Sequence, residues 1–127
     1  MAIRQSGVKR NEIPYINAHA TSTMAGDGKE ARAIAAVFNG HAPYVASTKA
    51  MTGHEMWMAG ASEIVYSILM MQNDFIAPNI NFENPDEDTV KLNIPIQRID
   101  KNFELFLSNS FGFGGTNSTL IVKNFKK

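Results

Sequence analysis

The sequence predicts an α/β protein of one domain's size. Three observations carry that prediction. Short apolar strand patterns alternate with helical patterns over the first 72 residues. One of the helices is apolar on nearly every side. Two strand patterns joined by a Phe-Gly turn close the chain. At 127 residues the chain is the size of one ordinary domain, and no repeat or low-complexity stretch divides it.

The elements follow in order. Residues 2–6 with Gly7 read as the last turn of a helix and its C-terminal glycine. A helix that short does not hold alone, so the chain reads as beginning inside an element of something longer. Residues 13–17 form a short strand, and His19 to Gly26 is a polar loop rich in Thr, Ser and Gly. A helix over 27–38 puts Ala31, Ile34, Ala35 and Phe38 on one face and stops at Asn39-Gly40. Residues 44–47 are a second strand. The longest helix is expected over 52–72, where Thr52 and Glu55 have capping-box spacing and His54 falls in the first turn.

That helix holds one charge, Glu63, between Met56 and Met71. A helix with so little polar surface belongs in a large core or an interface, and the chain scarcely has the length to cover it. Residues 74–101, with Pro78, Pro85 and Pro95, read as mostly irregular, with a short strand around 92–96. Residues 104–110 and 116–123 are strands around Phe111-Gly112-Phe113-Gly114-Gly115, a hairpin whose glycines supply the unusual backbone angles.

Composition excludes several classes. Twelve basic residues balance twelve acidic ones, which gives no electrostatic reason to expect nucleic acid or an anionic membrane as a partner. Lys123, Lys126 and Lys127 read as a solvated tail. There is no cysteine, so the chain supplies no disulfide, thiolate metal site or cysteine nucleophile. The stretch from Met56 to Met71 is too short to span a bilayer comfortably, and the first residues carry no secretory signal. These points suggest a cytoplasmic protein.

Three segments carry chemistry: Asn17-Ala18-His19-Ala20-Thr21-Ser22-Thr23, Lys49-Ala50-Met51-Thr52-Gly53-His54, and Ser108-Asn109-Ser110-Phe111-Gly112-Phe113-Gly114-Gly115-Thr116-Asn117. Each has a bland reading on its own. His19 alone is a loop histidine, His54 a residue that packs at a helix start, Lys49 a solvated lysine, and the Phe-Gly loop a hairpin turn. Gly-Phe-Gly-Gly is no dinucleotide fingerprint, because a strand follows it rather than a helix. Gly28-Lys29-Glu30 lacks the hydroxyl of a phosphate-binding loop. His19, His41 and His54 lack metal-ligand spacing.

Taken together and in this order, the three segments resemble the β-ketoacyl-acyl-carrier-protein synthases, the condensing enzymes of fatty acid synthesis. The resemblance runs over essentially the whole chain. It implies most of the C-terminal half of a thiolase-like fold, a mixed sheet with a buried helix. The His19/His54 pair resembles the elongating type I/II class, whose site is Cys-His-His. The cysteine belongs to an N-terminal half outside this sequence.

The resemblance further implies a role for each matching residue. His19 and His54 donate hydrogen bonds to the malonyl thioester oxygen, His54 from the positive end of a helix. Lys49 sets the field around them, and Glu30 pairs with Lys49. The Phe113 amide forms half an oxyanion hole. Phe111 and Phe113 gate the acyl pocket, and Thr21 and Thr23 bind the pantetheine arm. Asn17, Glu63, Ser108 and Asn109 match positions that hold a structural monovalent cation in some members. No cofactor is implied beyond the 4'-phosphopantetheine that acyl carrier protein brings with the substrate. The implied partners are acyl carrier protein, the N-terminal half of the same enzyme, and a second copy in a homodimer. The alternative is a non-catalytic half-protein or degenerate partner subunit, and on either reading this chain alone is expected to be inactive.

Two departures from the family pattern stand out. Ala20 replaces a glycine and requires a backbone angle that an L-residue can tolerate. Glu55-Met56-Trp57-Met58 replaces small residues, and Trp57 for glycine is expected to overpack a tight layer at a cost of about 1–3 kcal/mol.

Overall fold

The computed structural model describes residues 1–125; Lys126 and Lys127, expected in the solvated tail, lie outside the described residues. A mixed four-stranded sheet organises the chain. Its strands are β1 (Tyr15–Asn17), β2 (Tyr44–Ala46), β5 (Leu105–Phe111) and β6 (Asn117–Lys123), in the order β2-β1-β5-β6. β1 runs parallel to both β2 and β5, and β5 pairs antiparallel with β6. A two-stranded antiparallel ribbon, β3 (Phe75–Ile76) with β4 (Ile99–Asp100), lies apart from it. The helices are α1 (Ala2–Ser6), α2 (Gly26–Val37), α3 (Lys49–Thr52) and α4 (Ala59–Gln72).

All three residues of β1 are buried, as expected of a strand covered on both faces. Strand alternation sends Ile16 to one face, where it packs with Ile34 and Phe38 of the α2 segment, Val45 and Leu107. Tyr15 faces the other way and packs with Met70 and Met71 of α4, Phe103 and Phe106. The result is three layers, with α2 and α4 on opposite sides of the sheet.

Most of the expected elements are present within two residues of their predicted ends. The expected helix over 52–72 is not continuous. The chain makes the single turn of α3, passes through Gly53 at φ 75° and Met56 at φ 52°, makes one 3₁₀ turn at Met56–Met58, and only then enters α4. Two left-handed residues cannot sit inside a right-handed helix. The capping box is absent too: Thr52 Oγ1 donates to the Thr48 and Gly53 carbonyls, and Glu55 accepts from Tyr66.

Residues 92–96 make no strand. They contribute an isolated parallel bridge from Asn93 to Tyr44. The irregular region instead holds β3, β4 and a 3₁₀ turn at Thr89–Lys91, tied to α2 by the Arg32–Asp88 ion pair at 2.5 Å.

α4 is half covered. Ala59, Glu63, Ser67, Met70 and Met71 are buried, while Val65 and Leu69 are about half exposed. Trp57 is 99% exposed and meets no tight layer, so the expected overpacking does not arise within this chain. No helix among the described residues is long and apolar enough to cross a membrane.

Candidate active site

The C-terminal ends of parallel strands β1 and β2 lead into the first two motif segments, and β5 carries the third to its Phe-Gly turn. Three loops from adjacent strands therefore gather at one edge of the sheet. The His19 and His54 rings stand edge to face, 5.8 Å apart at 86°. Phe111 closes against His19 with ring centres 5.4 Å apart. His19 is half-buried and His54 is exposed.

The loop carrying His19 is held by Glu30, whose side chain is almost entirely buried. Glu30 Oε1 accepts the backbone N–H of His19 at 3.0 Å, and Oε2 accepts that of Ala20 at 2.8 Å. The Asn109 amide on β5 donates to Oε1 at 3.0 Å, and Thr119 Oγ1 donates to Asn109 Oδ1 at 2.9 Å. One carboxylate thus ties the His19 loop, α2 and the strand leading to Phe111 into a unit. Ala20 sits at φ 20°, at the border of the left-handed region, and Ser47 Oγ donates to its carbonyl at 3.3 Å. Strain of this kind persists where surrounding contacts over-determine the geometry.

Lys49 does not pair with Glu30. Its ammonium makes an ion pair with Glu63 Oε1, both side chains being almost entirely buried. The reversal through Gly53 to Met58 brings α4 back beside α3, and the two charges meet there. Glu30 is already committed to three neutral donors. Glu63 was visible in sequence as the lone charge in an apolar helix, a signal that it needed a partner.

The two imidazoles are fixed differently. The backbone N–H of Met56 donates to His54 Nδ1 at 3.0 Å. A ring nitrogen that accepts has no proton, so neutral His54 carries its proton on Nε2. His19 has its pKa pushed below the ordinary histidine value, first by burial and then by the positive charge of Lys49. Both causes favour the uncharged imidazole. His54 leads into a 3₁₀ turn, not the first turn of a helix, so the helix-dipole argument made for it has no helix end to rest on.

Phe113 lies fully exposed at the tip of the hairpin, in a 3₁₀ turn closed by the Gly112 N–H on the Thr116 carbonyl at 2.8 Å. Gly114 and Gly115 both have positive φ there, as the sequence required. Thr21 and Thr23 lie with their hydroxyl oxygens 3.4 Å apart. Asp27, not singled out from sequence, accepts the Ser22 and Thr23 N–H groups at 3.1 and 3.2 Å. The signal was available: an acidic residue in the first turn of a helix that follows a Ser/Thr loop.

The four residues matched to a cation divide between the faces of the sheet. Asn17 and Ser108 are register partners, and Asn17 Nδ2 donates toward the Glu63 carbonyl and Ser67 Oγ of α4. Asn109, one residue on from Ser108, turns its amide to Glu30 on the other face. Asn17 Oδ1 and Glu63 Oε2 are buried oxygens without a hydrogen-bond donor. Such hard oxygen acceptors are the donor chemistry a monovalent cation takes.

Known proteins share this sequence and this fold. The β-ketoacyl synthase C-terminal domain matches residues 1–83. The chain is 49% identical over 114 residues to 3-oxoacyl-[acyl-carrier-protein] synthase 1 of Escherichia coli, covering 90% of this chain and 28% of that protein. A crystal structure of a β-ketoacyl synthase from Burkholderia phymatum superposes with a TM-score of 0.91 at 34% identity, covering 98% of this chain and 31% of that one. A type II PKS acyl-carrier protein in complex with its ketosynthase gives a TM-score of 0.91 at 30% identity, covering 99% and 31%. The chain therefore spans less than a third of the length of these relatives.

Proposed function

Since the chain belongs to the β-ketoacyl synthase family and carries its C-terminal domain, we propose that it supplies the malonyl-handling part of a fatty acid elongating condensing enzyme. The single observation that carries this reading is the edge-to-face pair of His19 and His54 against Phe111, with the proton of His54 assigned to Nε2.

The reaction begins with an acyl chain on a cysteine thioester in the remaining region of the enzyme. Malonyl-acyl-carrier protein enters and its carboxyl C–C bond breaks. Carbon dioxide leaves, and the electron pair passes into the thioester as an enolate. His54 Nε2–H and the N–H of neutral His19 donate to the enolate oxygen. Both donors are in place before the charge develops, which is the condition under which such hydrogen bonds lower a barrier most. The enolate carbon then attacks the acyl thioester carbonyl, and the tetrahedral intermediate collapses with loss of the cysteine thiolate. The Phe113 N–H and the amide of the cysteine stabilise that second oxyanion.

Burial first, and then the positive charge of Lys49 in its buried pair with Glu63, hold the His19 pKa down and favour the neutral imidazole. Phe111 and Phe113 form the gate between the acyl and malonyl spaces, and Thr21 and Thr23 hold the pantetheine arm. Asn17 and Glu63 offer oxygens to a monovalent cation, whose part is structural. The partners are acyl carrier protein, the nucleophile-bearing region and a second copy of the complete enzyme, in the cytoplasm. The intact histidine pair favours this reading over a degenerate, non-catalytic subunit.

The test is malonyl-acyl-carrier-protein decarboxylation by the complete enzyme. Replacing His54 by Ala should lower the rate by about 100- to 1000-fold, the effect of losing one oxyanion donor. An unchanged rate would sink the reading. This chain by itself should form no condensation product from acyl- and malonyl-acyl-carrier protein.

A further inference from the structure

The turn that orients His54 is built from unfavourable parts. Gly53 at φ 75° and Met56 at φ 52° flank His54 and Glu55, and methionine resists that angle. Packing within this chain does not hold the turn, because His54, Met56, Trp57 and Met58 are all exposed in it. Yet Met56 must keep this conformation for its N–H to reach His54 Nδ1.

The turn is anchored through the residue between them. Glu55 Oε1 accepts the Tyr66 hydroxyl of α4 at 2.7 Å. Hydrogen bonding to Ser62 and then Tyr66 holds the Glu55 carboxyl below its ordinary pKa range. The Glu55 carbonyl also closes the 3₁₀ turn by accepting the Met58 N–H at 3.1 Å. Glu55 therefore grips the rigid helix with its side chain and the turn with its backbone.

We propose that Glu55 is a positioning residue: its hydrogen bond to Tyr66 locks the His54 turn to α4, keeps the Met56 N–H on Nδ1, and so keeps Nε2 the donor. The inference rests on the reading of His54 as a donor to the enolate oxygen. Without the anchor, Met56 relaxes out of the left-handed region and His54 is free to turn and to move its proton to Nδ1. The loss falls on the chemical step, because neither Glu55 nor Tyr66 is placed on the substrate.

The experiment uses the complete synthase and measures malonyl-acyl-carrier-protein decarboxylation, with ¹⁵N shifts of His54 reporting its tautomer. Glu55→Ala and Tyr66→Phe should each lower kcat about tenfold or more, as misplacement of a catalytic group does, with KM little changed. Glu55→Gln keeps an oxygen that accepts from Tyr66 and should restore most of the rate. The double variant Glu55→Ala/Tyr66→Phe should be no worse than either single one. Thermal melts identify any variant that fails to fold, in which case Glu55→Gln and Tyr66→Phe carry the comparison.

Full kcat in Glu55→Ala and Tyr66→Phe, with His54→Ala inactive, would overturn the proposal and leave the functional reading standing. Equal damage in Glu55→Gln and Glu55→Ala would also overturn it, since that outcome marks a role for the charge itself. If His54→Ala remains active, the functional reading fails instead. The tautomer shift then still tests the anchor, and an unaltered Nε2–H signal in Glu55→Ala refutes it.

Discussion

Two buried glutamates on opposite faces of the same sheet support the two histidines by different physics. Glu30, on the α2 side, spends both oxygens on neutral donors: two backbone N–H groups and the Asn109 amide. Glu63, on the α4 side, is held by one ammonium, and its second oxygen has no donor. The first arrangement fixes geometry, since three directional bonds converge from a loop and a strand on one helix residue. The second fixes a field, since it places the charge of Lys49 beside His19. A carboxylate satisfied by dipoles and one satisfied by a counter-ion should therefore fail in different ways.

The largest expected effect comes from Lys49→Met. Removing one partner of a buried ion pair leaves the other charge uncompensated and typically costs about 3–5 kcal/mol. Burial already raises the Glu63 pKa, and Lys49 is what opposes the rise. A group whose folded pKa is raised contributes its full stability below its unfolded pKa and loses it as pH rises through the folded value. The deficit in Lys49→Met should therefore be greatest near neutral pH and shrink on acidification, as followed by urea denaturation across pH. A deficit independent of pH would mean that packing, not charge, holds this pair.

Glu30→Ala should come next, at about 2–3 kcal/mol, because it strands three donors that had a charged acceptor. Its signature differs: the loss should involve no change in field at His19 beyond that of the removed charge, but the ring contact with His54 should loosen. Chemical denaturation gives the first quantity and NMR contacts between the two rings the second. An intact contact in Glu30→Ala would break the distinction drawn between the two glutamates.

His19 itself offers a gentler probe. Its folded pKa lies below the unfolded one, so its contribution to stability is present above the unfolded pKa and is lost as pH falls through the folded value. Titrating the ring by NMR should place its pKa below the ordinary histidine range in the parent chain. Lys49→Met should move it upward, because the positive neighbour is gone. A downward move would assign the field to another group.

These contrasts also mark what the sequence could reveal. The strands and α2 were legible because burial on both faces of β1, and on one face of α2, leaves a short-range pattern of apolar residues. The three motif loops were legible by their order, and His19, His54 and Phe111 do meet. The partners of the glutamates were not legible. Lys49 and Glu63 are 14 positions apart and meet only because the chain reverses between them. The reversal itself was disguised: Thr52 and Glu55 have the spacing of a helix cap, yet their side chains bond elsewhere. The oversized Trp57 read as a packing problem because its exposure depends on the path of that same turn.

The smallest expected effect, Ala20→Gly, tests whether the Glu30 clamp is working against strain. At φ 20° alanine is held where its Cβ is unwelcome, and glycine removes that conflict. Glycine also gives the unfolded chain more freedom, which costs about 0.4–1 kcal/mol. Relief of strain should slightly exceed this loss, for a net gain of up to about 0.5 kcal/mol and a rise in melting temperature of roughly 2 °C. The gain should shrink in a Glu30→Gln background, where the weaker clamp lets Ala20 relax and leaves less strain to relieve, so the two substitutions should not add. A loss near 1 kcal/mol in both backgrounds would show only the entropy of glycine. Ala20 would then be relaxed where it sits, and Glu30 would be orienting the His19 loop without bending it.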